Sequence, residues 1–223
     1  MIQGESDVMW LGLVSTASSS RYGRPDPSDD GGAPIESPRS RGLEMGMMGM
    51  LLLIASLAPL FISIAIWIVW LRFQHMTWPP PGSPPIPAGV WVSTALVFLL
   101  SGVMLWSLHA LRRGDLARLR KSLVFGIVLG FSFLLTQVMN WLYVQQLGVP
   151  DIGRQYMGLV GFFAVIHAAH VVGGIGGLVY IGVLAQLGRP LARLSSPVRC
   201  TAVYWHFIDA VWVAALALVL YPG

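Results

Sequence analysis

Apolar residues in this chain occur in long unbroken runs rather than in an alternating or one-faced pattern. Five runs stand out: Met45 to Leu71, Pro87 to Leu111, Ser122 to Leu147, Met157 to Leu187 and Cys200 to Tyr221. A bilayer core takes roughly 20 consecutive apolar residues per helix, so each run is long enough to cross one. In hydrocarbon only a helix or a closed barrel satisfies its own backbone, and runs of this length read as helices. The pattern predicts an all-α, polytopic membrane protein, a bundle of five transmembrane helices. The connection "LRRGDLARLRK" between the second and third runs is short, which makes those two helices antiparallel neighbours.

The segments between the runs are polar in different ways. "MTWPPPGSPPIP" lacks amide donors at its prolines and is biased toward polyproline II, so it predicts a stiff external loop. Residues 1–42, with "SSSRYGRPDPSDDGGAPIESPRSR", are too rich in Ser, Pro and Gly to bury a core and predict a disordered cytoplasmic tail ahead of a transmembrane domain over 43–223. "VMWLGLVSTA" near the start is preceded by Glu5 and Asp7 and by no basic residue, the opposite of a cleaved signal peptide.

Composition agrees with the pattern: 55% of residues are hydrophobic and 11% charged, against roughly a quarter charged in soluble domains. The net charge of +4 comes from short basic clusters beside the spans, so it reads as a topology signal and not as a nucleic-acid surface. Arg39 and Arg41, then Arg112, Arg113, Arg118, Arg120 and Lys121, then Arg189, Arg193 and Arg199 fall on one side, while Arg72 and Arg154 fall on the other. The positive-inside rule then places the N-terminus in the cytoplasm and the C-terminus in the periplasm. Cys200 is the sole cysteine, so neither an internal disulfide nor a multi-cysteine metal centre is available.

Polar residues inside the runs carry the candidate chemistry. Asp209 is the one side chain there that would carry a full charge at neutral pH. A charge at the bilayer centre costs at least ~2.5 kcal/mol on insertion scales, so such a residue faces a bundle interior or water and has a partner. His206, three residues back on the same helical face, is the nearest candidate, and Trp205 and Trp212 flank the pair. A local bond that locks helix packing, a proton relay and a ligand pair all fit this spacing. In the fourth run His167, His170, Gly174 and Gly177 share a stripe, and Gly173 and Gly177 have the GxxxG spacing that lets another helix approach. Two histidines three apart suit interhelical hydrogen bonds, or a metal or haem if further ligands join them. His167, His170, His206 and Asp209 would form a four-ligand set only if the fourth and fifth helices meet at one depth. Gln137 and Asn140, followed by Trp141 in the third run, suit hydrogen bonding between helices.

The order of these motifs resembles subunit III of the haem-copper terminal oxidases, the cytochrome c oxidase subunit III family. "YWHFIDAVW" matches a family ending of the form YWHFxDxxW through Tyr204, Trp205, His206, Phe207, Asp209 and Trp212. The preceding span has the family's histidine pair in His167 and His170, with Val171 and Gly173 after it and Ala168 in a glycine's place. A family stretch like QxxEW corresponds to Gln137, Asn140 and Trp141, and "WPPPGSPP" resembles the proline loop of bacterial members. The resemblance covers residues 43–223 and implies a short, five-helix bacterial form. It further implies a non-catalytic chain of the inner membrane that binds no metal or haem itself. Haem and copper then belong to partner subunits I and II, and bound phospholipid, assembly support and a place in a larger respiratory supercomplex go with the role. His167, His170, His206, Asp209, Gln137, Asn140 and Trp205 would serve polar packing or lipid contact, and Gly173, Gly174 and Gly177 close helix approach.

Two family carboxylates are replaced, one by Leu57 in "IASLAPLF" and one by Asn140, which leaves Asp209 and His206 as the chief ionisable pair. A subunit-III-like accessory protein of a nitric oxide reductase or another respiratory complex is compatible with that loss. A free-standing membrane metal or haem protein using the four candidate ligands is the reading from a different class. Pro59, two residues after Leu57, removes a backbone donor and predicts a kink near Ala55.

Overall fold

The computed structural model describes residues 38–75, 77–80, 83, 85–147 and 154–220, with side chains from Met45 onward. Residues 1–37, most of the expected cytoplasmic tail, lie outside the described residues, as do four positions of the proline loop. Five helices follow one another: α1 (Pro38–Phe73), α2 (Gly89–Arg112), α3 (Leu116–Leu147), α4 (Arg154–Gln186) and α5 (Leu191–Leu220). All five are long and apolar enough to span a membrane. Helices α2, α3, α4 and α5 close a ring in which each packs on the next and α5 returns to α2, while α1 leans from outside on α5 and, less extensively, on α4. Helix α1 accordingly buries a single stripe, Phe61, Ile64, Ile68 and Leu71, and leaves Trp67 and Trp70 exposed to the surroundings. It continues without a break past Pro59, whose carbonyl accepts the Ser63 hydroxyl at 2.7 Å.

Helices α3 and α5 begin earlier than their hydropathy suggests. Helix α3 starts at Leu116, six residues before the apolar run, and α5 at Leu191, nine before. Both extra turns are basic, yet each drives a leucine, Leu119 or Leu194, fully into the core. Asp115 begins α3 by accepting the Arg118 amide at 2.9 Å, and its carboxylate also pairs with the Arg118 guanidinium at 3.1 Å. Pro190 begins α5, where its fixed φ suits a helix entry and its carbonyl takes the Arg193 amide at 2.8 Å. The stops that precede these starts have the same construction. Gly114 (φ 71°) and Gly188 (φ 69°) are left-handed, and the amides beyond them turn back, Asp115 to the Ala110 carbonyl and Arg189 to that of Leu184. A Cβ at Gly188 would meet no atom within 4 Å, so Gly188→Ala isolates the backbone cost of that conformation. It should lower stability by about 1–2 kcal/mol, and thermal unfolding of the detergent-solubilised chain would measure it.

Contacts at the two ends of the bundle fix which connections lie together. At one end Arg120, near the start of α3, donates from Nε to the Ala185 carbonyl in the last turn of α4 at 3.1 Å, which also accepts the Gly188 amide at 3.3 Å. The basic residues of the α2–α3 and α4–α5 connections therefore sit at the same end. At the other end Trp78 of the proline loop donates to the Val219 carbonyl of α5 at 3.0 Å and meets Tyr156 of α4 edge-on, with ring centroids 5.1 Å apart. The described part of the proline loop is thus anchored across the ends of α4 and α5.

Candidate functional site

Polar groups in the middle of the bundle face the seams between helices, where hydrocarbon cannot satisfy them and another helix can. Helix α5 supplies several of them. Its residues Trp205, Asp209 and Trp212 recur at four and three positions, which puts them on one face, and all three are buried. Trp212 donates from Nε1 to Thr94 Oγ1 of α2 at 3.2 Å, and Tyr204 donates to the His170 carbonyl of α4 at 2.9 Å. Gln137 of α3 donates to Ser93 Oγ of α2 at 2.7 Å. Nearer the basic end the hydroxyls of Ser107 and Ser122 join α2 to α3 at 2.8 Å, both fully buried.

His206 and Asp209 are not bonded to each other. His206 Nδ1 lies 2.8 Å from the hydroxyl of Ser101 on α2, and that hydroxyl also lies near the Asp209 carboxyl. A serine has one proton to give. If it goes to the carboxylate, the hydroxyl oxygen accepts from His206, which fixes the imidazole as its Nδ1–H form. The direct pairing expected from the spacing of three gives way because the interhelical seam offers a closer partner. Ser101→Ala should cost about 1 kcal/mol, and the same change in an Asp209→Ala background much less. A double-mutant cycle on thermal stability reads that difference, and equal costs in both backgrounds would contradict the bridge.

The two histidines of α4 point to different tasks. His167 is fully buried and stacks on Phe163, with ring centroids 5.5 Å apart, while Phe133 (5.7 Å) and Trp212 (5.3 Å) close on it from α3 and α5. His170 is half-buried, its Nδ1 is turned back onto the Ile166 carbonyl at 2.7 Å, and its ring lies 5.1 Å from that of Phe61 on α1. Among the described residues no three His, Cys, Asp or Glu side chains converge within reach of one ion. The four-ligand set His167, His170, His206 and Asp209 is therefore not assembled in this fold, although α4 and α5 do pack together.

Gly173, Gly174 and Gly177 of α4 face α5. A Cβ at Gly174 would come within 2.7 Å of the Trp205 ring and 3.2 Å of Tyr204, one at Gly177 within 3.3 Å of Thr201, and one at Gly173 within 3.5 Å of the Tyr204 hydroxyl. Asn140 sits where a Cβ on Gly89 of α2 would collide with it, and its Nδ2 is buried without a protein acceptor. Together with Gln137, Tyr156, Phe163 and Trp212 it lines an otherwise apolar cleft of about 140 Å³. Leu57 is partly buried and packs against the core as an ordinary hydrophobic side chain. Ser93, Thr94 and Ser101 on α2 are the contributors that sequence reasoning passed over. Each lies on the α2 side of a seam with α3 or α5.

The fold and this interior define a multi-pass α-helical membrane protein whose buried polar groups join one helix to another. The sequence model for cytochrome c oxidase subunit III matches residues 35–223; the chain belongs to that family. It is similar to the cytochrome c oxidase subunit 3 of Ornithorhynchus anatinus, 30% identical over 140 residues that make up 61% of this chain and 52% of the relative. A probable cytochrome c oxidase subunit 3 of Rickettsia prowazekii is 28% identical over 204 residues, 84% of this chain and 71% of the relative. A Synechocystis counterpart is 26% identical over 181 residues, 79% and 75% of the two chains. The chain spans about half the length of the Ornithorhynchus relative.

Proposed function

We propose that this chain is the non-catalytic subunit III of a haem-copper terminal oxidase in a bacterial cytoplasmic membrane, where it supports assembly and stable turnover of the catalytic subunit. The observation that carries the reading is the family match across all five spans. The interior geometry favours a supporting role. Ser101 with His206, Gln137 with Ser93 and Trp212 with Thr94 spend polar side chains on joining one helix to another. Haem and copper then reside in subunits I and II, and electrons pass to oxygen there. The basic ends of α2–α3 and α4–α5 face the cytoplasm in this reading, which puts the N-terminus inside and the C-terminus in the periplasm.

Phospholipid contact fits the same role. The cleft beside Asn140 and Trp141 is mostly apolar, and with Gln137 paired to Ser93 its unpaired amide donor is that of Asn140, a combination suited to an acyl chain and its ester carbonyl. His206, half-buried, bonds to Ser101 across the α2–α5 seam, and Trp205 packs against Gly174 of α4. Deleting the gene and following oxygen consumption by the purified oxidase tests the proposal. Initial turnover should persist while activity decays over successive turnovers, and re-addition of the chain should slow the decay. Unchanged persistence of activity would refute a supporting role. If nitric oxide reduction were the activity that decayed, the partner enzyme would be a reductase.

A further inference from the structure

Three buried polar atoms in the centre of the bundle meet no protein partner although their residues line one cavity. They are His167 Nδ1 of α4 and Trp205 Nε1 and Asp209 Oδ2 of α5. His167 and Trp205 are 1% exposed and Asp209 8%, so bulk water does not serve them. The cavity measures about 10 Å³, and Val97, Phe133 and Val171 complete its apolar wall. Buried polar groups in folded proteins are bonded with few exceptions. A cavity of roughly 10–15 Å³ holds one water provided that two to four polar atoms face it, whereas a purely apolar one stays dry.

The chemistry of the three atoms selects the occupant. Trp205 Nε1 can only donate, the Asp209 oxygen accepts, and His167 Nδ1 accepts when the ring carries its proton on Nε2. A cation has no use for the indole N–H, and an anion is repelled by the carboxylate. A water molecule matches all three. We propose that one ordered water occupies this cavity, accepting from Trp205 Nε1–H and donating to Asp209 Oδ2 and to His167 Nδ1. Its three bonds equal the usual number for an internal water. With Ser101 bonded to His206 and lying near the Asp209 carboxyl, the water would extend a line of polar groups across the seams: His206, Ser101, Asp209, water, His167. Helices α2, α4 and α5 would then be joined at one level by a solvent molecule that belongs to the fold. None of this depends on which enzyme the chain accompanies.

Two measurements on the unaltered full chain, purified from its native membrane with whatever remains bound, test the site. A structure at a resolution that shows ordered solvent should contain a density peak about 2.7–3.2 Å from each of the three atoms. An empty cavity, or Trp205 bonded directly to Asp209 or His167, would overturn the proposal. Nitrogen-15 spectra of histidine-labelled protein should show opposite tautomers at the two ends of the line, Nε2–H at His167 and Nδ1–H at His206. An Nδ1–H form at His167 would equally defeat it, because that nitrogen could not then accept from the water.

Discussion

Gly174→Leu should lower the stability of the chain by about 3 kcal/mol, while Gly176→Leu, two residues on, leaves it unchanged or slightly raised. The two glycines lie in the same stretch of α4, and leucine brings the same gain in helix propensity to both, up to ~1 kcal/mol. What differs is the neighbour. At Gly174 even a Cβ would stand 2.7 Å from Cζ2 and 2.9 Å from Cε2 of Trp205, whereas at Gly176 it would meet nothing within 4 Å. Trp205 is too enclosed to move aside, being 1% exposed, and a Cβ at Gly130 of α3 would lie only 3.7 Å from the far edge of the same ring. The leucine therefore has to push α4 off α5, and overpacking of this kind costs 1–3 kcal/mol or more. Thermal denaturation of the two variants side by side gives the comparison, and equal stabilities would contradict close packing of α4 on α5.

The second large effect is expected at His167. His167→Ala should cost about 3 kcal/mol, in the range for removing an aromatic ring from a core, because four rings from α1, α3, α4 and α5 close on the imidazole. Phe163 stacks on it, Phe133 and Trp212 lie within 5.7 Å between centroids, and Phe61 is at 6.4 Å. His167→Phe keeps an aromatic ring but adds volume at a fully buried position and removes the polar nitrogen, so it should cost about 1–2 kcal/mol, less than alanine. Unfolding of both variants in detergent checks this. Equal losses for alanine and phenylalanine would show that the nitrogens matter more than the ring.

How much of this was visible in the sequence differs from element to element. All five helices could be read, because in hydrocarbon a run of apolar residues has few alternatives to a helix. The starts of α3 and α5 could not. Hydropathy reports where lipid begins, and "LARLRK" and "LARLSSPVR" are basic turns that stay helical outside the apolar run because Asp115 and Pro190 begin them and Leu119 and Leu194 anchor them. The interior site was half legible. Asp209, His206, His167 and Gln137 are expensive in a membrane and so announce themselves. Their partners Ser101, Ser93 and Thr94 do not, since a hydroxyl can return its proton to its own helix, as Ser93 and Thr94 do to the carbonyls of Gly89 and Val90 at 2.9 Å. Pairing α2 with α5 across more than 100 residues, as in the Ser101–His206 bond, was beyond any local spacing rule. The spacing of three between His206 and Asp209 suggested a pair, and tertiary packing put Ser101 between them. Most of the ring packing around His167 was hidden for the same reason: apart from Phe163 on its own helix, its partners come from three other helices.

The account rests on association with an oxidase, and isolation of the native complex tests that most directly. The chain would be tagged, extracted in mild detergent from membranes of its own cell, and purified in one step. Its companions would then be identified, and haem and copper measured with a reduced-minus-oxidised spectrum. The prediction is a stoichiometric complex with a haem-copper oxygen-reducing catalytic subunit that carries both metals. Recovery of this chain alone, or with a nitric oxide reductase catalytic subunit in place of the oxidase, would contradict it.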